Sequence, residues 1–196
     1  SVTTLVDCVL YNNQLTEGPA WGGGVCIRLE GTLSLSGCTI QGNWVNMGRG
    51  STISRGGGIM CMESSFASLD NCVIGNNSAA LGDGVMVEDA SIVSWSGANT
   101  VTGDSLYCED AGSIMQFAAS SLCLAGVDGT PSLEGGLLFD VDDLSAAAAL
   151  YVSNSLLPQG GMALTNDSGS LSGAQIGDVI PLATAGVLIG SFDSIV

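Results

Sequence analysis

Leu35-Ser36-Gly37-Cys38-Thr39-Ile40-Gln41-Gly42-Asn43 decides the fold, because it is one of a series. The pattern precedes itself as Leu5-Val6-Asp7-Cys8-Val9-Leu10-Tyr11-Asn12-Asn13 and returns as Leu69-Asp70-Asn71-Cys72-Val73-Ile74-Gly75-Asn76-Asn77. The cysteine spacings are 38 − 8 = 30 and 72 − 38 = 34 residues. A degenerate copy runs from Trp95 to Asp104, with Asn99 in the cysteine's place after a one-residue insertion and Asp104 in that of the last asparagine. Between the copies a second segment recurs: Gly22-Gly23-Gly24-Val25-Cys26-Ile27-Arg28, Gly56-Gly57-Gly58-Ile59-Met60-Cys61-Met62 and Gly82-Asp83-Gly84-Val85-Met86-Val87-Glu88, continued by Leu106-Tyr107-Cys108-Glu109.

Periods of about 20 to 50 residues mark stacked units, each of which buries its apolar face against its neighbours. The units here hold two or three short β-rich segments between Gly, Asn and Ser turns, and helix-period patterns are almost absent. The reading is an all-β solenoid, a right-handed parallel β-helix. Stacked coils sit about 4.8 Å apart, so equivalent residues form ladders. Alternation then points Val25, Ile59, Val85 and Leu106 inward, and with them Ile27, Cys61, Val87 and Cys108 two residues on. Leu5, Leu35, Leu69, Trp95 and Phe117 make a further inward column. Asn13, Asn43 and Asn77, with Asp104 after them, recur at a turn, where asparagine bonds to backbone and tolerates left-handed conformations.

The 196 residues suffice for one sizeable core, and 29 glycines with 11% charged residues fit a turn-rich β protein. Three basic residues, Arg28, Arg49 and Arg55, stand against 19 acidic ones for a net charge of −16. Nucleic acid and anionic membranes are therefore poor partners. Val179 to Ile189, broken by Pro181, is too short to insert across a bilayer. The start of the chain carries no basic-then-apolar leader, and the apolar end at Ser191 to Val196 leads us to expect a longer chain or a covering molecule. Two Asn-X-Ser triplets, at Asn76 and Asn166, are glycan acceptors only in a eukaryotic secretory pathway.

The Gly-Gly-X-Ile and Cys-X-X-X-Asn repeats resemble those of bacterial polymorphic outer-membrane and autotransporter passenger proteins. The resemblance covers residues 1 to 124. It implies a right-handed parallel β-helix on the outside of a cell, with no catalytic residues to carry over. Residues 125–196, with Gly136-Leu137-Leu138-Phe139, Gly160-Gly161-Met162-Ala163-Leu164 and Gly177-Asp178-Val179-Ile180, look like a strand-rich continuation of the solenoid.

With no histidine and no lysine in the chain, histidine-based triads and histidine metal sites are excluded. Enzymatic β-helices that cleave acidic polysaccharides use a basic residue beside calcium, which this composition poorly supplies. Seven cysteines leave at least one thiol unpaired within the chain. Cys8, Cys38 and Cys72 stack in neighbouring coils, either as a buried thiol ladder or with one pair oxidised. Glu63, Asp89 and Asp110 align in one column with Glu88 and Glu109 beside it, either separately hydrated or relieved by calcium. Asp140-Val141-Asp142-Asp143 lacks the spacing of a helical calcium loop.

Cys26, Met60, Met86 and Tyr107 should face away from the core, as should Phe66, Ile92 and Ile114. Such a stripe needs cover, from the insertions Gln14 to Trp21 and Trp44 to Arg55 or from another chain. The expected function is a non-enzymatic extracellular or cell-surface scaffold, adhesin-like, requiring no cofactor. It would associate laterally or end to end with copies of itself or neighbouring domains, with Met60, Met86, Tyr107, Phe66, Ile92 and Ile114 as interface candidates. The alternative is a carbohydrate-binding or carbohydrate-active β-helix, with Trp21 or Trp44 stacking on a sugar.

Overall fold

Five-residue strands at Val2–Val6, Thr32–Ser36, Phe66–Asp70 and Ile92–Ser96 lie side by side and parallel in the computed structural model. The described residues are 1–16, 20–46, 54–104, 106–110 and 112–117, followed by backbone strands at Leu122–Gly126, Ser132–Leu133, Gly136–Asp140, Leu150–Pro158, Gly161–Thr165, Ala183–Leu188 and Ser194–Ile195. The first sheet runs on through Ile114–Phe117, Gly136–Asp140, Gly161–Thr165 and Ser194–Ile195 to eight strands. A second face stacks Val9–Tyr11, Thr39–Gln41, Val73–Gly75, Ala98–Thr102 and Leu122–Gly126. A third stacks Val25–Ile27, Ile59–Cys61, Val85–Val87, Leu106–Cys108 and Ser132–Leu133. The second and third faces meet at Leu150–Pro158, which pairs with both. The chain visits the faces in turn, which is a parallel β-helix.

Register gives the coil lengths directly. Val2 opposes Thr32, Thr32 opposes Phe66, Phe66 opposes Ile92 and Ile92 opposes Ile114, so successive coils take 30, 34, 26 and 22 residues. The strands hardly change in length, so the difference lies in the loops entering the third face. The first two coils hold the long ones.

Alternation within each strand sorts the core. Leu33, Ala67, Val93 and Met115 form one buried column of the first face, and Leu35, Leu69 and Trp95 form the next. Ile40, Ile74 and Val101 close the second face and Ile59, Val85 and Leu106 the third, with Ile27, Cys61, Val87 and Cys108 beside them. The expected inward columns therefore stand. Phe117 continues the register from Trp95, though its side chain lies outside the described residues.

Each corner carries its own polar ladder, and these set the stacking. At the first, Cys38 Sγ donates to the carbonyls of Ser36 and Leu5 at 3.4 Å each, and Cys72 Sγ repeats this on Asp70 and Leu35. Asn99, in the next coil, directs its Nδ2 to the matching carbonyls of Ser96 and Leu69. At the second corner, Asn13 N–H and Nδ2 both donate to Asn43 Oδ1 at 3.1 and 2.9 Å, and Asn43 treats Asn77 Oδ1 likewise at 3.0 Å. At the third, Ser65 Oγ accepts from Gly31 N–H and Ser91 Oγ from Ser65 N–H. These bonds serve carbonyls at the first corner and satisfy turn amides at the other two that the strand ladders do not.

The first corner also alternates residue type down the stack. Asp7, Gly37, Asn71 and Gly97 all have φ between 49° and 64°. A Cβ on Gly37 would lie 2.2 Å from Asp7 Oδ1, and one on Gly97 would lie 2.4 Å from Asp70 Oδ1 and 2.7 Å from Asn71 Oδ1. The acidic or amide side chain of one coil thus fills the space over the glycine of the next. Only a residue without Cβ fits there.

Candidate functional site

The outward Met60 and Met86 of the third face were expected to need cover, from the insertions or from a partner, and both are fully buried. With Met62 they form a second apolar cluster outside the coil interior, packed beneath Trp21, Leu81 and Tyr107. The cover comes from the chain itself. Trp21, Arg55 and Leu81 bridge one another in parallel as each loop approaches the third face, laying a strip across it. Met60, Met86 and the half-buried Tyr107 are thus corrected from interface to internal packing, because the long loops fold back over them. Trp21 belongs to this cover, so its ring is spent on methionine side chains.

Arg55 fastens the strip. Its guanidinium bonds to Glu88 and Glu109, carboxylates of successive coils, and Glu88 is only 7% exposed. One cation between two stacked anions removes the repulsion that the sequence left unassigned. Arg55 was missed as their partner because its counterparts in the neighbouring coils, Trp21 and Leu81, are uncharged. Arg28 pairs with Glu63 at 3.4 Å. Both arginines of the described residues are therefore paired with coil carboxylates; Arg49 lies outside them.

The column Glu63, Asp89 and Asp110 is present beside the third face, with Glu63 and Asp89 at left-handed corner positions. Its carboxylates do not simply face water. Glu63 Oε2 accepts from Leu29 N–H at 3.2 Å, while Asp110 accepts from Asp89 N–H, Gly112 N–H and Ser113 Oγ at 2.7 to 2.8 Å. Burial works against the charge on Asp110, but these donors together hold its carboxyl below the usual range. Among the described residues no three acidic or cysteine side chains come together as a metal site. Asp142 and Asp143 lie outside them.

The cysteines whose side chains are described are free thiols: Cys8 half-buried, Cys26 exposed, and Cys38, Cys61, Cys72 and Cys108 buried. Burial pushes the Cys61 thiol up to about 12 and raises that of Cys72 as well. Such thiols act as small apolar groups with a weak S–H donor, which is how the corner ladder uses them.

The interface candidates that stay outward lie on the outer side of the first face. Val2, Thr32, Phe66, Ile92 and Ile114 form one column there, beside Thr4, Ser34, Ser68, Ser94 and Gln116. Phe66 is 36% exposed, and Ile92 and Ile114 are half-buried. Trp44 is 37% exposed, on the small sheet where Gln14–Leu15 pairs with Trp44–Val45.

Faces of parallel strands visited in rotation, with ladders at every corner, have a counterpart among known families: the family model for the right-handed β-helix region matches residues 1–122, more than half of the chain. The chain belongs to the right-handed β-helix family. No curated protein and no solved structure matches it significantly. Membership in the right-handed β-helix family accords with the parallel strands that the chain stacks coil on coil. It assigns no reaction. Among the described residues no helix is long and apolar enough to cross a membrane.

Proposed function

We propose that the chain is a non-enzymatic scaffold module of an extracellular or cell-surface protein, adhesin-like in engaging other chains through its lateral surface. The observation that carries this reading is where its polar chemistry goes. The Asn, Ser and Cys columns, the carboxylates Glu63, Glu88, Glu109 and Asp110, and the two described arginines bond coil to coil or loop to coil. Groups committed in this way hold a rod together. The repeats that resemble polymorphic outer-membrane and autotransporter passenger proteins favour the same role and the same place outside a cell.

The partners under this reading are copies of the chain or neighbouring domains of a longer polypeptide, meeting the Phe66, Ile92 and Ile114 column. Association costs several kcal/mol of lost freedom, and a single column repays it only weakly. Weak, multivalent contact is the expected regime. Sedimentation velocity over rising concentration should show reversible association that Phe66→Asp with Ile92→Asp removes. A glycan array is the complementary experiment. Selective sugar binding lost in Trp44→Ala would replace this reading with the carbohydrate-binding alternative.

A further inference from the structure

The asparagine column ends on a residue that titrates. Asp104 is fully buried, and its Oδ1 and Oδ2 accept from Asn77 N–H and Nδ2 at 2.9 and 2.6 Å. Asn43 and Asn77 above it each make one further bond upward. Asn43 Nδ2 donates to the Leu10 carbonyl at 2.9 Å and Asn77 Nδ2 to the Ile40 carbonyl at 3.0 Å. Leu10, Ile40 and Ile74 share one register, so the Ile74 carbonyl is the next acceptor in that series. An ionised carboxylate has no hydrogen to give it.

We propose that Asp104 is a proton-operated latch on this column: protonated on Oδ2, it donates to the Ile74 carbonyl as the asparagines above donate to theirs, and ionised, it leaves that bond unmade. The hydroxyl oxygen still accepts from Asn77 Nδ2, so protonation adds a bond without removing one. Burial raises the carboxyl from its usual value to about 6, against the pull of Asn77's side-chain and backbone donors, and the charge on Asp83 adds to the rise. Asp83 is itself held by Ala79 N–H at 2.7 Å. Asn43, Asn76 and Asn77 do not titrate. Asp128 stands two residues beyond Gly126, the partner of Thr102, and lies outside the described residues.

The sign follows from the raised value. The folded chain takes up the proton more readily than the unfolded one, so the added stability is complete below about pH 4 and is lost as pH rises through about 6. Mild acidification therefore firms the stack between the third and fourth coils.

Unfolding of the whole chain and of Asp104→Asn, compared from about pH 7.5 down to about pH 4, tests this. The variant carries the donor at every pH. It should be the more stable at the upper end, by up to roughly a hundredfold in folding equilibrium, with the gap closing through pH 6. A variant no more stable than the parent at the upper end, or a gap that ignores pH, would overturn the proposal. In the unmodified chain the Asn77 backbone amide resonance should titrate with a midpoint near 6; a midpoint near that of a free carboxylate, or no titration, would equally overturn it.

Discussion

Asp7 Oδ1 lies 2.2 Å from the point that a Cβ on Gly37 would occupy, although the two residues are 30 positions apart. The corner is built as a pair, with the side chain in one coil and its space in the next. Gly37→Ala should therefore destabilise the chain by about 1–3 kcal/mol, combining overlap with the left-handed φ of 62°. In an Asp7→Gly background the same substitution should cost less, because only the backbone strain remains. Urea unfolding of the four members of that double-mutant cycle measures the coupling.

Asn43 is the middle of the amide column and fully buried. Asn43→Ala strips an acceptor from Asn13 and donors from Leu10 and Asn77 at once, leaving polar groups buried and unpaired. A loss of about 3 kcal/mol or more is expected in chemical denaturation. Hydrogen exchange should quicken at Asn13 and along Thr39–Gln41.

Arg55→Met keeps the aliphatic stem but leaves Glu88 and Glu109 facing each other. Removing one partner of a fully buried ion pair typically costs about 3–5 kcal/mol; with Arg55 and Glu109 only part-buried a loss of about 1–3 kcal/mol is expected, and Arg55→Met with Glu88→Gln should recover part of it. The loop strip should loosen first. Met60 and Met86, which their burial should protect from peroxide in the native chain, should then oxidise readily, as peptide mass spectrometry would report.

Thiol titration separates the cysteines by position. Cys26 should react first with a water-soluble disulfide reagent, at a rate held down by the partial burial that raises its thiol, while Cys38, Cys61, Cys72 and Cys108 should wait for unfolding. Early reaction of Cys61 would contradict both its burial and its raised value of about 12.

The coil register was legible because Cys38, Asn43 and their counterparts repeat at the spacing the stack requires. Alternation assigned the inward columns for the same reason. Contacts between a coil and an insertion leave no such trace: nothing periodic ties Arg55 to Glu88, or Trp21 to Met60, so cover from the insertions and cover from another chain read alike. The pairing of Asp7 with Gly37 and of Asn71 with Gly97 was in principle visible in the aligned copies. It needed the further step of asking which atom fills the missing side chain. The acidic column was found by alignment, but its role as an acceptor of turn amides depended on the left-handed backbone at Glu63 and Asp89.

The account rests on side chains at one corner of successive coils bonding to one another, and nuclear Overhauser contacts between side-chain amide protons test that most directly. Asn43 should show contacts to both Asn13 and Asn77, with none between Asn13 and Asn77, as neighbours about 4.8 Å apart and next-neighbours at twice that distance require. A direct contact between Asn13 and Asn77, or an Asn43 amide in contact with neither, would contradict it.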